Sequence, residues 1–395
     1  MSPVTAAQDR EYLASHPWIT FMVNLQKLTH KTWLLLGEAE SKSHHVAGVP
    51  LRPEVARRLH AIYLSKGIHG TTSIEGNTLS EEEVLQRVAG ELELPPSRAY
   101  LGIEVDNIIA ACNRIVEDLA HHRPMELTPE RIASFNKQVL ANLDLEDGVV
   151  PGQVRTHSVV VLNYRGAPAG DCDYLLQRMC DWLNELDTVA VDDEEMTFTV
   201  AVLKAILAHL YIAWIHPFGD GNGRTARLIE FQLLIQAGVP LPAAHLLSDF
   251  YNKTREAYYR ALSRTSRPPY PVEGFIHYAM QGFVDELREQ LQVIREEQMR
   301  VTWENFVHQS FPKDSPARHR QRCVVLDLGT RRDPVAPTRL PEVSPRLARL
   351  YADKGTKTLT RDINELVKMQ LVRRVPGGIV ANFDLIRAFL PMRAE

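Results

Sequence analysis

The stretch from His216 to Arg227, HPFGDGNGRTAR, decides how the rest of this chain is read. Three of its residues are glycines, at 219, 221 and 223, and charged side chains stand on both sides of them. A glycine-flanked turn, Asp220 to Gly223, precedes a helical pattern expected from Arg224 to Ala237. Such a turn at a helix start aims several backbone N–H groups at one point, where the helix dipole adds partial positive charge. That arrangement binds phosphate. Arg224 and Arg227 lie three apart on one helical face and reach further phosphate oxygens, so Gly221, Asn222, Gly223, Arg224 and Arg227 are read as a polyphosphate cradle. It is not the Walker loop. Asp220 beside bound phosphates suits Mg²⁺, which takes one or two protein ligands and fills its shell with phosphate and water. His216, with an ordinary pKa near 6.5, accepts a proton at neutral pH. Base, metal and cradle together specify group transfer from a nucleotide to a hydroxyl. Taken singly, each piece reads as a structural loop whose Asp and Arg pair with each other; the assembled string favours chemistry.

Outward from this motif the pattern is helical. Apolar residues recur at three- and four-residue spacing over 11–40, 52–70, 80–92, 97–122 and 128–143. Pro53 sits near one helix start, Ser80 stands three residues before Glu83 in capping-box spacing, and Thr128 caps a helix with Pro129 in its first turn. The run Thr197–Ile215 is long enough for a membrane span, but Lys204 and His209 interrupt it and a buried core helix is expected. Gly238 closes the helix after the motif, 248–265 continues the pattern, and a long helix is expected over 273–307. One segment differs: in PGQVRTHSVVVLNYRGAPAGD, Val159, Val160 and Val161 cluster between Gly and Pro, the signal of a small hairpin. FPKDSPARH reads as a linker, and RRVPGGIVANF as a two-stranded turn.

The chain has 395 residues and a formal charge of −4, which excludes a disordered acidic protein or one that coats polyanions along its whole length. The charge is uneven. Residues 312–395 hold 17 Lys and Arg against 9 Asp and Glu, a net of +8, which leaves −12 for the rest. Cys112, Cys172, Cys180 and Cys323 form no C-x-x-C pair and read as free thiols. The first residues show no basic start and apolar run, so a cytoplasmic, non-membrane protein is expected.

HPFGDGNGRTAR matches the Fic motif, H-x-F-x-[D/E]-G-N-[G/K]-R-x-x-R, at every defined position, and the chain resembles that family. The resemblance implies a mainly α, Fic-type helical bundle with a β-hairpin flap. It implies transfer of AMP from ATP to a target-protein hydroxyl, with His216 as base, Asp220 as Mg²⁺ ligand, and Gly221, Asn222, Gly223, Arg224 and Arg227 on the phosphates. Phe218 would anchor the loop in the core. TTSIEGN, residues 71–77, resembles the family's inhibitory motif; Glu75 would pair with Arg227 in the place of the γ-phosphate, in the same chain, as in the family's second inhibitory class. Alone, Glu75 could equally be a solvent-exposed helix residue. Val159, Val160 and Val161 resemble the flap on which a target segment adds as a strand. AYYRAL, 257–262, resembles the adenosine side of the pocket, with Tyr259 as the stacking residue. Ser266 stands where relatives often carry Asn, and GAPAG lacks their paired prolines.

TKTLTRDINELVKMQLVRR followed by VPGGIVANF resembles a winged helix–turn–helix, although Asp362 and Glu365 lie within its helix. The expected organisation is an N-terminal helical region (1–120), a catalytic core (121–310) and a basic C-terminal module (311–395). The expected partners are a target protein, the chain itself as a target, DNA at the basic module and a second copy of the chain. Two alternatives stay open: removal of AMP with the help of Glu75, and an ATP-sensing DNA-binding regulator.

Overall fold

A computed structural model describes residues 10–387 except 162, 191–195, 314 and 332. The chain divides into two compact units, 1–291 and 292–395, where the sequence reading set boundaries at 120 and 310. The difference has a physical cause. One helix runs from Val272 to Ser310, and Trp303 and Val307 near its end belong to the core of the second unit.

The first unit is helical. Its helices are α1 (Tyr12–Ser15), α2 (His30–Gly48), α3 (Pro53–Ile74), α4 (Glu81–Val88), α5 (Ala99–Ala120), α6 (Pro129–Val139), α7 (Cys172–Ala190), α8 (Thr197–Ile215), α9 (Asn222–Gln236), α10 (Leu241–Ala244), α11 (Leu246–Lys253), α12 (Arg255–Thr265) and the start of α13 (Val272–Ser310). The local signals act as read. Ser80 and Glu83 form the reciprocal capping box of α4, and the Thr128 hydroxyl accepts the Arg131 N–H at the start of α6. α8 is apolar on all sides and is the buried centre, packed against α2, α7 and α9. It is long and apolar enough to cross a membrane, yet 89% of its apolar window is buried inside the protein. Its two polar interruptions are accommodated: the Lys204 ammonium donates to Asn184 Oδ1, and His209 meets Glu230 and Tyr258.

Two helical expectations are corrected. The pattern over 11–40 is broken: between α1 and α2 the chain runs as a strap with a single 3-10 turn at Leu25–Lys27, because Pro17 cannot continue α1 and Thr29 caps a new start. The strap's Ile19 and Leu28 are buried, which is why their spacing looked helical. The segment 248–265 is two helices, α11 and α12, separated at Thr254, whose φ of −114° leaves the helical range.

The hairpin forms between β1 (Val160–Val161) and β2 (Tyr164–Arg165), paired Val160 with Arg165 and Val161 with Tyr164. Val159 precedes β1, and its carbonyl accepts the Gly166 N–H.

The second unit holds the end of α13, then α14 (Pro316–Leu328), α15 (Pro345–Tyr351), α16 (Thr356–Lys368) and the hairpin β3 (Val372–Val375) with β4 (Gly378–Ala381). A bridge pairs Val335 with Ile379. The linker read at FPKDSPARH is shorter than expected, because Ser315 caps α14 and its last residues are helical. Trp303, Leu328, Leu340, Leu347, Ile363 and Leu366 are among the residues of this unit's own core.

Candidate active site

The motif bridges α8 and α9. His216 ends α8 in the left-handed conformation, φ 49° and ψ 58°, which turns the chain sharply out of the helix. Phe218 then drops into the core with 1% exposure. The Asn222 side chain closes the loop on itself: its Oδ1 accepts the Phe218 N–H and its Nδ2 donates to the Phe218 carbonyl, both at 2.9 Å. Asn222 is therefore a clamp of the loop. α9 begins at Asn222, two residues earlier than the expected Arg224, because Gly221 at φ 76° turns the chain into the helix.

A cavity of about 630 Å³ opens beside this loop. Its lining includes His216, Asn222, Gly223, Glu75, Tyr259 and Val161. The structure thus brings together residues from four separate stretches of sequence. Tyr259, on α12, is half-buried in the wall, and its hydroxyl is 3.5 Å from the Ile74 carbonyl. Ser266 lies on the same wall. Val160 and Val161 are exposed on the hairpin, at 57% and 41%.

Burial pushes the His216 imidazole down to about 4, and the nearby Arg155 charge adds to this against the opposing pull of Glu75 and Asp220. The ring also takes part in a hydrogen bond with the Ala213 backbone. At neutral pH His216 is therefore neutral and able to accept a proton. Arg155 went unnoticed in the sequence. It is 4% exposed, and its guanidinium donates to the carbonyls of His216 (2.7 Å), His157 (2.5 Å), Ala167 and Ile215 (3.4 Å). It ties the hairpin segment to the end of α8 and supplies positive charge behind the imidazole.

The two motif arginines are both engaged. Arg224 donates to Asp220 at 3.1 Å and to Glu104 Oε1, also at 3.1 Å. Glu104, on α5, in turn accepts from Asn77, two residues after Glu75. Arg227 is 2% exposed; its Nη2 donates to the Thr71 carbonyl at 3.0 Å and to Glu75 Oε1 at 2.5 Å. Burial alone would raise the Glu75 carboxyl, but the charge and hydrogen bond of Arg227, with Arg224 and His216 nearby, hold it below the ordinary carboxylate range. Glu75 also crowds the start of α9: a Cβ on Gly223 would stand 2.1 Å from its Oε1. The carboxylate thus lies against the start of α9, where the helix dipole favours negative charge. Even so, Arg224 Nε and Arg227 Nε and Nη1 are buried without a hydrogen-bond partner. This is a donor set larger than its present acceptors, and it fits a polyanion.

Asp220 is half-exposed at the side chain, and its Oδ1 accepts from Gly221 and Arg224. One such carboxylate can serve as a protein ligand of a nucleotide-bound Mg²⁺. Among the described residues no group of three or more His, Cys, Asp and Glu forms a protein-only metal cage. Asn136 is a further residue that spacing did not reveal: fully buried on α6, it donates to the Asp220 carbonyl at 2.8 Å and accepts the Gly152 N–H at 2.9 Å.

Residues 126–234 match the Fic/DOC family. Protein adenylyltransferase Fic of Drosophila willistoni is 34% identical over 179 residues, 45% of this chain and 32% of that protein. Protein adenylyltransferase fic-1 of Caenorhabditis briggsae is 31% identical over 201 residues, 49% of this chain and 35% of that protein. The chain spans about a third of the length of these relatives. Among solved structures, a Fic family protein from Desulfovibrio desulfuricans G20 aligns over 93% of this chain and 98% of its own, with a TM-score of 0.54 at 18% identity. Fic-1 from Caenorhabditis elegans aligns over 67% and 73%, with a TM-score of 0.52 at 22% identity. These two likenesses show the fold.

Proposed function

The chain carries a Fic/DOC domain, and from that premise we propose that it is a protein adenylyltransferase restrained by Glu75. The observation that carries the reading is the cavity at the α9 start: His216, Gly223 and Glu75 line it, and Glu75 pairs with the buried Arg227, whose Nε and Nη1 lack acceptors. The substrates are MgATP and a hydroxyl of a target protein. His216 takes the proton of that hydroxyl as its oxygen bonds to the α-phosphorus; the bond from the α-phosphorus to the bridging oxygen breaks, and pyrophosphate leaves with the magnesium. Arg224, Arg227 and the α9 start hold the phosphates, Asp220 offers the metal ligand, and Tyr259 stacks on the adenine. The outer edge of β1 receives the target segment as an added strand. The four cysteines, buried and free, suit a cytoplasmic protein. Its own hydroxyls and a second copy of the chain are included among its targets.

A second reading has its own support: Glu75 is ionised in the same cavity as His216, so it can orient a water for removal of AMP from a modified protein.

Intact-protein mass spectrometry after incubation with MgATP tests the proposal on wild type, Glu75→Gly and Glu75→Gly/His216→Ala. An AMP-sized gain in Glu75→Gly, weak in wild type and absent in the double variant, is expected. Equal labelling of wild type and Glu75→Gly would refute the restraint. Loss of AMP from a premodified target, abolished in Glu75→Gly, would favour the second reading.

A further inference from the structure

We infer that the outer face of α16 and the adjoining strand β3 form a binding surface for double-stranded DNA. The inference stands apart from the transfer chemistry and rests on how the second unit sorts its charges. α16 is amphipathic: Leu359, Ile363 and Leu366 turn into the core. Asp362, which in the sequence looked like an obstacle to a polyanion, turns inward with them. It is fully buried and accepts from Arg320 at 2.6 Å, Gln321 at 3.0 Å and the Tyr351 hydroxyl at 3.1 Å. Glu365 is half-buried and paired with Arg318 at 3.3 Å. Asp362 is thus spent internally, and Glu365, which borders the same face, has its charge offset by Arg318.

What the helix exposes is cationic. Lys357, Arg361 and Lys368 are exposed and have no ion-pair partner among the described residues. They recur at intervals of four and seven residues, so they follow one face over about 16 Å of helix. Between them stand Thr360 and Asn364, exposed side chains that can donate to or accept from base edges. Arg374 of β3 is exposed as well, and its guanidinium donates to Asn364 Oδ1 at 2.8 Å, which fixes the amide and leaves its NH₂ donors outward. Lys357, Thr360, Arg361, Asn364 and Lys368, together with Glu365, line a shallow depression along the helix. A rod of this width carrying spaced cations and neutral amide and hydroxyl groups fits the major groove, about 12 Å wide. None of the exposed large apolar residues lies on α16, which argues against a membrane surface.

The test is fluorescence anisotropy of the full chain with a labelled 30-base-pair duplex of mixed sequence, over a salt series. Three proteins are compared: wild type, Lys357→Ala/Arg361→Ala/Lys368→Ala, and a charge-matched control, Lys27→Ala/Lys31→Ala/Arg57→Ala. Wild type and control should bind with equal affinity that falls steeply with salt. The α16 variant should bind at least tenfold more weakly, with a log–log salt slope smaller by about 2 to 3, since each lost phosphate contact removes roughly 0.9. Arg361→Glu alone should weaken binding too, with an unchanged thermal transition. The inference is overturned by absence of duplex binding at 50 mM salt, roughly the low end at which nonspecific contacts show. It is equally overturned if the control weakens binding as much as the α16 variant, or if single-stranded RNA of the same length binds more tightly than the duplex.

Discussion

Replacing Glu75 by glycine should make the protein less stable and, at the same time, more responsive to its nucleotide. The Arg227 guanidinium is all but inaccessible, and among the described residues Glu75 is its only ionic partner; beyond that carboxylate it has the Thr71 carbonyl, while Nε and Nη1 have no partner there. Taking away one member of such a pair leaves a buried charge uncompensated, at a cost of roughly 3 to 5 kcal/mol. The Glu75 side chain is 30% exposed, so water enters the vacancy and the lower end, about 3 kcal/mol, applies. For a unit that spans residues 1–291 each kcal/mol moves Tm by about 1.6 °C, so the ligand-free variant should melt about 5 °C below wild type. Polyphosphate would then supply the missing acceptors. At about 100 times its Kd, MgATP stabilises by roughly 2.7 kcal/mol, which restores most of the loss in the variant. In wild type Glu75 competes for the same donors, and the ligand shift should be much smaller. Differential scanning fluorimetry of both proteins, with and without MgATP, reads this directly. A variant as stable as wild type without ligand, or equal ligand shifts in the two, would refute the view that Glu75 is both the counter-ion of Arg227 and its occupant.

Other outcomes follow from the same geometry. Burial holds His216 at about 4 even with Glu75 pulling it up, and only the neutral ring accepts a proton, so transfer by Glu75→Gly should stay level from pH 7 to 5 and fall off only around pH 4 or lower. In the Arg155→Gln background the acid limb should move up only in part, because burial, the larger cause of the shift, remains, while Arg155→Lys keeps it low; the pH profile of the labelling rate checks both. His216 and His245, the latter held by burial at about 3, sit below the unfolded histidine value. The unfolded chain therefore takes up protons that the native protein refuses, and stability present above pH 6.5 is lost as pH falls. By pH 5 each should remove about 2 kcal/mol. Urea unfolding of His245→Gln should show about that much less decline between pH 7 and 5. In the hairpin the Val159 carbonyl faces β2, so the Val160 N–H turns outward. Val160→Pro should cut labelling of other proteins and leave MgATP affinity unchanged, as measured by adduct yield against a nucleotide-binding assay.

The parts of the site that could be read from the sequence are those whose signals are local. The capping box at Ser80 and the all-apolar α8 are each written within a few neighbouring residues and appear where expected, and the glycine turn does so with its helix starting two residues early. The contributors that escaped act across long separations. Arg155 reaches the end of α8 some sixty residues on, and Asn136 reaches Asp220 across 84. A lone Arg among threonine and histidine, or a lone Asn in a helix, has no periodicity to mark it. The strap after α1 was misread because burial gives an irregular segment the same apolar spacing as a helix.

Asp220 and Arg224 show why the structural and the chemical readings of the motif need not compete. In the sequence, pairing between the motif's own acid and base stood as the bland alternative to phosphate binding. In the structure that pairing is present: Arg224 is held by Asp220 and Glu104, and Arg227 by Glu75. Guanidinium groups buried this deeply need acceptors whether or not a nucleotide is bound, because an uncompensated charge would cost more than the loop can sustain. The carboxylates keep the cradle folded, and a polyphosphate would exchange one set of acceptors for another. Glu75 stands against the α9 start, so on the proposed reading it is the carboxylate that a polyphosphate displaces. On the proposed reading the restraint is the same contact that neutralises Arg227 in the resting protein, and whatever draws Glu75 away must offer Arg227 another anion.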